Sequence, residues 1–385
     1  MEQVKLLDIC DVYQPLTIAT KQFVAEGGFP VYGANGVIGR YSSYNHEESE
    51  VLMACRGATC GAINISVPFS WINGNAMVIH PNGKLPLDKE YLKYFLIFAK
   101  KDDIISGTAQ PQITRQNMQN FWISVCPLPE QQRIVARIEE LLSQLDSGVE
   151  TLRKTKQQLA VYRQAVLKEA FEGRLTGSLP IGEELIGKFI ESPRYGTSKK
   201  CSYSESAECI DVYRIPNIDY SLGRIDHTDI KRAVFSDSEL VGIQLQPDDI
   251  LIIRSNGSVS LVGRAALVRD TDTNATFAGY LMRLRIKDKA LLLPKYFLLY
   301  LQSHSARIYI ENKAKSTSGV HNINSKEIAA LQIPMFDYED QKLIVEAIES
   351  RLSVCDSIEQ TVDTALQQAE ALRQSILKQA FEGKI

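Results

Sequence analysis

The chain has 385 residues, 44% of them apolar and 23% charged, with a formal net charge of −3. That length is more than one ordinary domain needs, and that balance is the composition of a globular protein whose surface faces water. No apolar run reaches the roughly 18 residues of a membrane span, and MEQVKLLDICDVY carries acids where a signal peptide would be apolar, so the cytoplasm is the expected compartment.

In chain order, residues 1–126 read as a strand-rich body. VYGANGVIGRY, EVLMACRG and NAMVIHP are short β-type runs with turn punctuation. A helix (DKEYLKYFLIFAK) and a polar loop (SGTAQPQITRQNM) come next. Residues 127–173 read as one long helix, with Pro127 and Pro129 excluding helix before Glu130 and Gly173 placed for a left-handed cap. The stretch 174–186, TGSLPIGEELIGK with its neighbours, is expected to be a linker and a flexible lead-in to the second half of the chain.

Residues 187–336 repeat the order of elements. The runs DDILIIRSNGSVSLVGRAALV and YLMRLRI are strand-like, LPKYFLLYLQSHSARIYIENK reads as a helix, and KSTSGVHNINSKEI is a polar loop. Residues 337–385 form a second long helix ending at Gly383. The two helices are copies: QAVLKEAFEGRL at 164–175 and QSILKQAFEGKI at 374–385 share seven of twelve positions, and an offset of 210 residues holds without a gap over about 50 residues. So long a period marks a duplicated unit and not a solenoid.

Each copy carries a heptad stripe: Ile138, Leu145, Leu152, Leu159 and Val166 in the first, Ile348, Cys355, Val362, Ala369 and Ile376 in the second. Ile134, Leu141 and Tyr162, and Ile344, Ile358, Ala365 and Leu372, fall at interleaved positions, interrupted by Gly148, Thr155 and Arg351. Stripes of equal length and register are expected to pack on each other as helices of roughly 60 Å, at about 1.5 Å per residue. The expected class is α+β: two strand-rich domains joined by two long antiparallel coiled-coil helices in pseudo-twofold halves.

Motifs that carry chemistry are few. GEELIGK has the glycine and lysine spacing of a phosphate loop, but Phe189 stands where the magnesium-binding hydroxyl belongs. There is no NPP or DPP tripeptide of a base methyltransferase, and the adjacent Asp248 and Asp249 suit a turn. The seven cysteines are odd in number and scattered, and the five histidines stand apart from them, so neither a disulfide framework nor a metal site is expected. No catalytic residue is expected.

The loops instead hold groups that suit bases and phosphates. Arg matches guanine edges, Asn and Gln match adenine edges, and Ser, Thr and Lys match phosphates. The candidates are Arg40, Arg56, Gln110, Gln112, Thr114 and Arg115 in the first half, and Arg194, Arg214, Arg254, Asn256, His321 and Asn322 in the second. Charge is uneven: residues 194–330 hold 19 Lys or Arg against 15 Asp or Glu, while residues 337–385 hold 5 against 10.

PLPEQQRIV entering the first helix and LKxAFEG closing both resemble the specificity subunit of type I restriction-modification enzymes. FPVYGANGVIG, RGATCG, WINGNAM, RYGTSK, YRIPNI and IIRSNGSVSLVGRAAL are further phrases of that kind, and the resemblance covers essentially the whole chain. It implies a non-catalytic subunit whose two target-recognition domains each read half of a bipartite site in double-stranded DNA, with the helices setting the gap. It also implies docking of two modification subunits, which would hold the S-adenosylmethionine, and of restriction subunits carrying the motor and nuclease; this chain would bind no cofactor. The competing reading is a coiled-coil scaffold whose heads bind proteins, which would show no salt-dependent affinity for duplex DNA.

Overall fold

The computed structural model describes residues 2–384 apart from 108–109, 204–205, 207 and 318, and only the backbone at 315–317. The chain divides into two compact units, Met1–Arg153 with Asp363–Ile385, and Lys154–Val362. The long helices are Leu128–Phe171 and Tyr338–Phe381, so each unit combines one head with a portion of both.

In the first unit Glu2–Lys5 pairs antiparallel with Trp122–Val125, the strand that leads into the long helix. A four-stranded antiparallel sheet has the order Cys10–Tyr13, Ala76–Pro81, Val51–Ala54, Ile63–Ile65. Val51–Ala54 is a continuous apolar run because both of its faces are buried, whereas Cys10–Tyr13 alternates buried and exposed. Phe29–Gly33 and Gly36–Tyr41 make a hairpin, with Trp71–Ile72 added in parallel. The helix Lys89–Phe98 is capped by the Asp88 carboxylate, which accepts from the Tyr91 amide at 2.9 Å.

The second unit repeats this plan with insertions. Gly182–Leu185 pairs with Gln332–Met335 in the register of the first unit's opening pair: Glu2 faces Val125, and Gly182 faces Met335. The stretch expected as a flexible lead-in is therefore a strand followed by a 3-10 turn at Ile186–Lys188, because its backbone completes the sheet under the head. Ile250–Ile253, again buried throughout, lies inside a six-stranded sheet between Leu281–Leu284 and Ala265–Leu267. The single helix expected at 293–313 is two, Pro294–Leu301 and His304–Lys313, because Ser303 leaves helical geometry to cap the second one.

The first long helix starts slightly before Glu130, and the second starts at Tyr338, one residue inside its expected span. Leu128 opens the first helix, with Pro129 tolerated in the first turn, where its missing N–H would have had no intrahelical partner. Gly173 and Gly383 end the helices at φ +77° and +71°; a Cβ on Gly173 would fall 1.7 Å from the Ser178 carbonyl oxygen.

The helix segments within each unit run antiparallel. In the first unit Arg373 pairs with Asp146; in the second, Arg163 Nη2 lies 2.6 Å from Asp356 and 3.0 Å from Glu359. The two Arg–Asp pairs are one pair written twice, since both residues recur at the offset of 210. Ile138, Leu159, Val166, Ile348, Cys355, Val362, Ala369 and Ile376 are buried, and Leu145 and Leu152 half-buried. The interleaved stripe is inside only in part: Ile134 and Ile344 are buried and Leu141, Thr155 and Ala365 half-buried, whereas Tyr162, Ile358 and Leu372 are 48%, 40% and 50% exposed, and Gly148 and Arg351 are exposed with them. Ile134 and Ile344 bury into the head cores, and beyond them Gly148 and Arg351 break the stripe.

Each helix end is anchored on a head. Phe381 meets Tyr91 and Phe95 edge-on at centroid distances of 5.3 and 5.2 Å, and Phe171 meets Tyr296 and Tyr300 at 5.2 and 5.1 Å. Tyr91 and Tyr296 in turn donate to the carbonyls of Ser124 and Pro334, at 2.8 and 2.7 Å. Each buried ring contributes about 1.5–3 kcal/mol by leaving water.

Candidate nucleic-acid interface

In both units the strand buried at the centre of the head runs out into a loop, and the loop ahead of the long helix folds back onto it. In the first unit the Ile113 amide donates to the Cys55 carbonyl (3.0 Å), Arg56 bridges Gln112, and the Cys55 amide donates to the Asn75 carbonyl (3.3 Å). In the second the Ile323 amide donates to the Arg254 carbonyl (2.9 Å), Ser255 faces Asn322, and the Arg254 amide donates to the Tyr280 carbonyl (2.9 Å). One backbone frame thus carries two sets of side chains.

The candidates separate on this frame. Arg56, Gln110, Gln112 and Arg115 are exposed and belong to the joined loops of the first unit. Thr114 is used locally: its hydroxyl bonds the Asn117 side chain, as Asn324 is locked to Glu327 in the second unit. Arg40 is exposed, yet its guanidinium holds the Gly27 and Gly28 carbonyls at 2.6 and 2.7 Å, closing the hairpin.

In the second unit Arg254, Asn256, His321 and Asn322 come together, with Asn256 opposite His321 across paired strands. Asn256 also accepts from the Ser258 amide at 2.8 Å, and His321 Nδ1 lies 3.4 Å from the Ala314 carbonyl. Arg254 stacks on the Tyr195 ring at 4.4 Å and donates to the Gly279 carbonyl at 3.1 Å, while its buried Nε has no hydrogen-bond partner among the described residues. Arg194 is exposed beside Tyr195.

Arg214 lies apart from this group. It donates to the Asp229 carboxylate and carbonyl at 2.8 and 2.7 Å, and Tyr203 donates to the same residue's carboxylate at 2.6 Å. Those hydrogen bonds, from Tyr203 first and Arg214 second, hold the Asp229 carboxyl below the ordinary carboxylate range.

Sequence reasoning took in Asn75 and Tyr195 only within the phrases WINGNAM and RYGTSK, and passed over Gln14 and Tyr280. Gln14 Nε2 donates to the Cys55 sulfur (2.9 Å) and the Gly74 carbonyl (3.2 Å), filling in the first unit the place that Arg254 takes in the second. Tyr280 is 62% exposed although Leu281 beside it is fully buried. The available signal was an aromatic or amide residue next to glycine at the mouth of a strand, in INGNA and AGYL.

Residues 1–160 match the family model described as Type I restriction modification DNA specificity domain. The chain is also 33% identical over 272 residues to the Type I restriction enzyme EcoKI specificity subunit of Escherichia coli (strain K12), covering 68% of this chain and 57% of that one. The chain belongs to the type I restriction-modification specificity-subunit family. Among other members, it is 29% identical to the StySPI specificity subunit of Salmonella potsdam, over 74% of this chain and 63% of that one. It is 24% identical to the EcoDI specificity subunit of Escherichia coli, over 94% and 83%. The chain therefore spans 57% and 63% of the length of the EcoKI and StySPI relatives.

Two solved structures share the fold of this family member at 18% identity. One is a chain from a study of complex assembly and conformational transition of the type I R-M system, with a TM-score of 0.76 covering 100% of this chain and 98% of that one. The other is the HsdS subunit from Thermoanaerobacter tengcongensis, with a TM-score of 0.55 covering 100% and 97%. The α+β class, with two strand-rich heads and two long helices, is the fold of the family. No helix among the described residues is long and apolar enough to cross a membrane.

Proposed function

We propose that this chain is the non-catalytic DNA-recognition subunit of a type I restriction-modification complex, each head reading one half of a bipartite site in duplex DNA. The observation that carries the reading is the duplicated frame: each unit brings polar and cationic side chains from two distant loops onto one exposed edge, with different side chains in each. A shared scaffold with different exposed groups suits two half-sites of different sequence, because base edges are told apart by donor and acceptor pattern.

The helices set the distance between half-sites in this reading, and they dock two modification subunits; restriction subunits complete the assembly. Tyr162 and Leu372, equivalent under the offset of 210, are exposed apolar side chains that suit such docking. S-adenosylmethionine is held by the modification subunits and not by this chain, and the complex works in the cytoplasm. The test is to express the chain with its modification subunits and map methylated adenines. A two-part motif with a fixed gap is the expected result; an unmodified genome alongside a complex that assembles and binds S-adenosylmethionine would sink the reading.

A further inference from the structure

The two units share the backbone hydrogen bonds of the frame and differ in the side chains that it exposes. Buried Ile113 and Ile323 are the same residue and make the same hydrogen bond, to the carbonyls of Cys55 and Arg254. The residue whose carbonyl accepts at the other side of this frame is Asn75 in one unit and Tyr280 in the other, and both side chains are exposed. Each sits between a glycine and a fully buried first strand residue, Ala76 or Leu281, so the backbone direction at that point is fixed by the sheet.

The neighbouring chemistry differs in a matched way. The carbonyl before each position, Gly74 or Gly279, is held by a side-chain donor: the Gln14 amide in the first unit, the Arg254 guanidinium in the second. In the second unit that guanidinium lies on Tyr195, itself 41% exposed, and leaves its Nε without a partner among the described residues. Two exposed tyrosines tied to one stacked arginine form a surface with a large apolar area and a polar rim, the composition of a recognition patch and not of a solvated face.

Resting on the reading of this chain as a DNA-recognition subunit, we propose that Asn75 and Tyr280 are specificity-determining residues at matching places in the two heads. The Asn75 amide has the donor and acceptor pair that matches the N6 and N7 edge of adenine, and the Tyr280 ring offers an apolar contact of the kind that suits the methyl of thymine. Each acts on its own half-site. The frame beneath supplies position without sequence preference.

The experiment uses the full chain assembled with its modification subunits and a pool of randomised DNA duplexes. Bound duplexes are sequenced for the wild type and for Asn75→Ala, Tyr280→Ala and Tyr280→Phe. A two-part motif is expected from the wild type. Asn75→Ala should lower the preference for adenine at one position of one half by about tenfold, the scale of one good base contact, and leave the other half unchanged. Tyr280→Ala should do the same to a thymine in the opposite half, and Tyr280→Phe should keep it. Both positions are exposed, so unchanged melting temperatures accompany these effects. If the wild type selects a two-part motif and both alanine variants select the same one, the proposal is wrong while the recognition reading stands; if the wild type selects no motif, both fall.

Discussion

Gln131 and Gln341 make the same three hydrogen bonds in two different heads. The Gln131 side chain, fully buried, accepts from the Asp88 amide at 2.8 Å and donates to the carbonyls of Pro86 and Cys126 at 3.0 and 2.7 Å. Gln341, also fully buried, accepts from the Leu293 amide at 2.9 Å and donates to Leu291 and Phe336 at 3.0 and 2.9 Å. Each glutamine joins the start of a long helix to the start of a head helix and to the strand between them, and no atom of its amide is left unsatisfied by the burial.

Gln131→Leu strands one amide and two carbonyls in a dry setting, so a loss on the order of 3 kcal/mol is expected, read by urea denaturation. Hydrogen exchange should quicken at Lys89–Phe98 and not at Pro294–Leu301. A loss under about 0.5 kcal/mol would show that water replaces the amide at no cost.

Phe381→Ala removes a ring packed on Tyr91 and Phe95 and should cost about 3–5 kcal/mol, as should Phe171→Ala at Tyr296 and Tyr300. The two losses should fall in different units, which hydrogen exchange can assign. Protection at Lys89–Phe98 unchanged in Phe381→Ala would contradict the anchoring of the helix end on that head.

Arg163 and Asp356 are 23% and 47% exposed, so their bond is partly screened. A double-mutant cycle with Arg163→Ala and Asp356→Ala should give a coupling of about 0.5–1 kcal/mol at low salt that shrinks as salt is added. The same cycle at Asp146 and Arg373 should give a similar value.

Asp272 is fully buried, with His227 Nε2 at 3.0 Å and Arg269 Nε at 3.1 Å. Burial alone would raise its carboxyl; the hydrogen bonds from Arg269 and His227 outweigh it and hold the group below its ordinary value of 3.8. A depressed carboxylate contributes stability that is complete above the unfolded value and is lost as the pH falls through the folded one. Wild-type stability should therefore drop more steeply below about pH 4 than that of Asp272→Asn, as followed by acid denaturation.

Arg56→Ala and Arg115→Ala remove exposed guanidinium groups from the first frame, and each should reduce the salt dependence of duplex binding by about one counterion. Arg40→Ala and Arg214→Ala should instead lower thermal stability, because their guanidinium groups hold the Gly27, Gly28 and Asp229 carbonyls. Equal salt slopes for all four variants would erase that division.

The parts legible in the sequence were those whose cause is local. A heptad stripe and a glycine cap act within a few residues, so the two helices and the ends at Gly173 and Gly383 could be read directly, as could the fully apolar runs at Val51–Ala54 and Ile250–Ile253. The interleaved stripe held at Ile134 and Ile344 and misled further along the helices, because periodicity does not say how far a face stays covered. Tyr162 and Leu372 lie on its uncovered part.

The repeated order of elements in the heads was legible, but their residue-by-residue match was hidden for a different reason. Glu2 and Gly182 are 180 residues apart, Tyr91 and Tyr296 205, and Gln131 and Gln341 210. Cys55 and Arg254 are 199 apart, so insertions of the second unit shift the alignment three times, and no fixed offset crosses them. Only hydrogen bonds that recur between equivalent atoms reveal the match.

By itself the sequence determined two long amphipathic helices, their caps, two strand-rich bodies and the absence of familiar catalytic motifs. The tertiary structure decided which loops share an edge, which arginines are occupied and where Asn75 and Tyr280 stand. The physical reason is distance along the chain: a helix satisfies its own backbone groups within four residues, whereas Ile113 must reach the Cys55 carbonyl and Ile323 the Arg254 carbonyl before either frame exists.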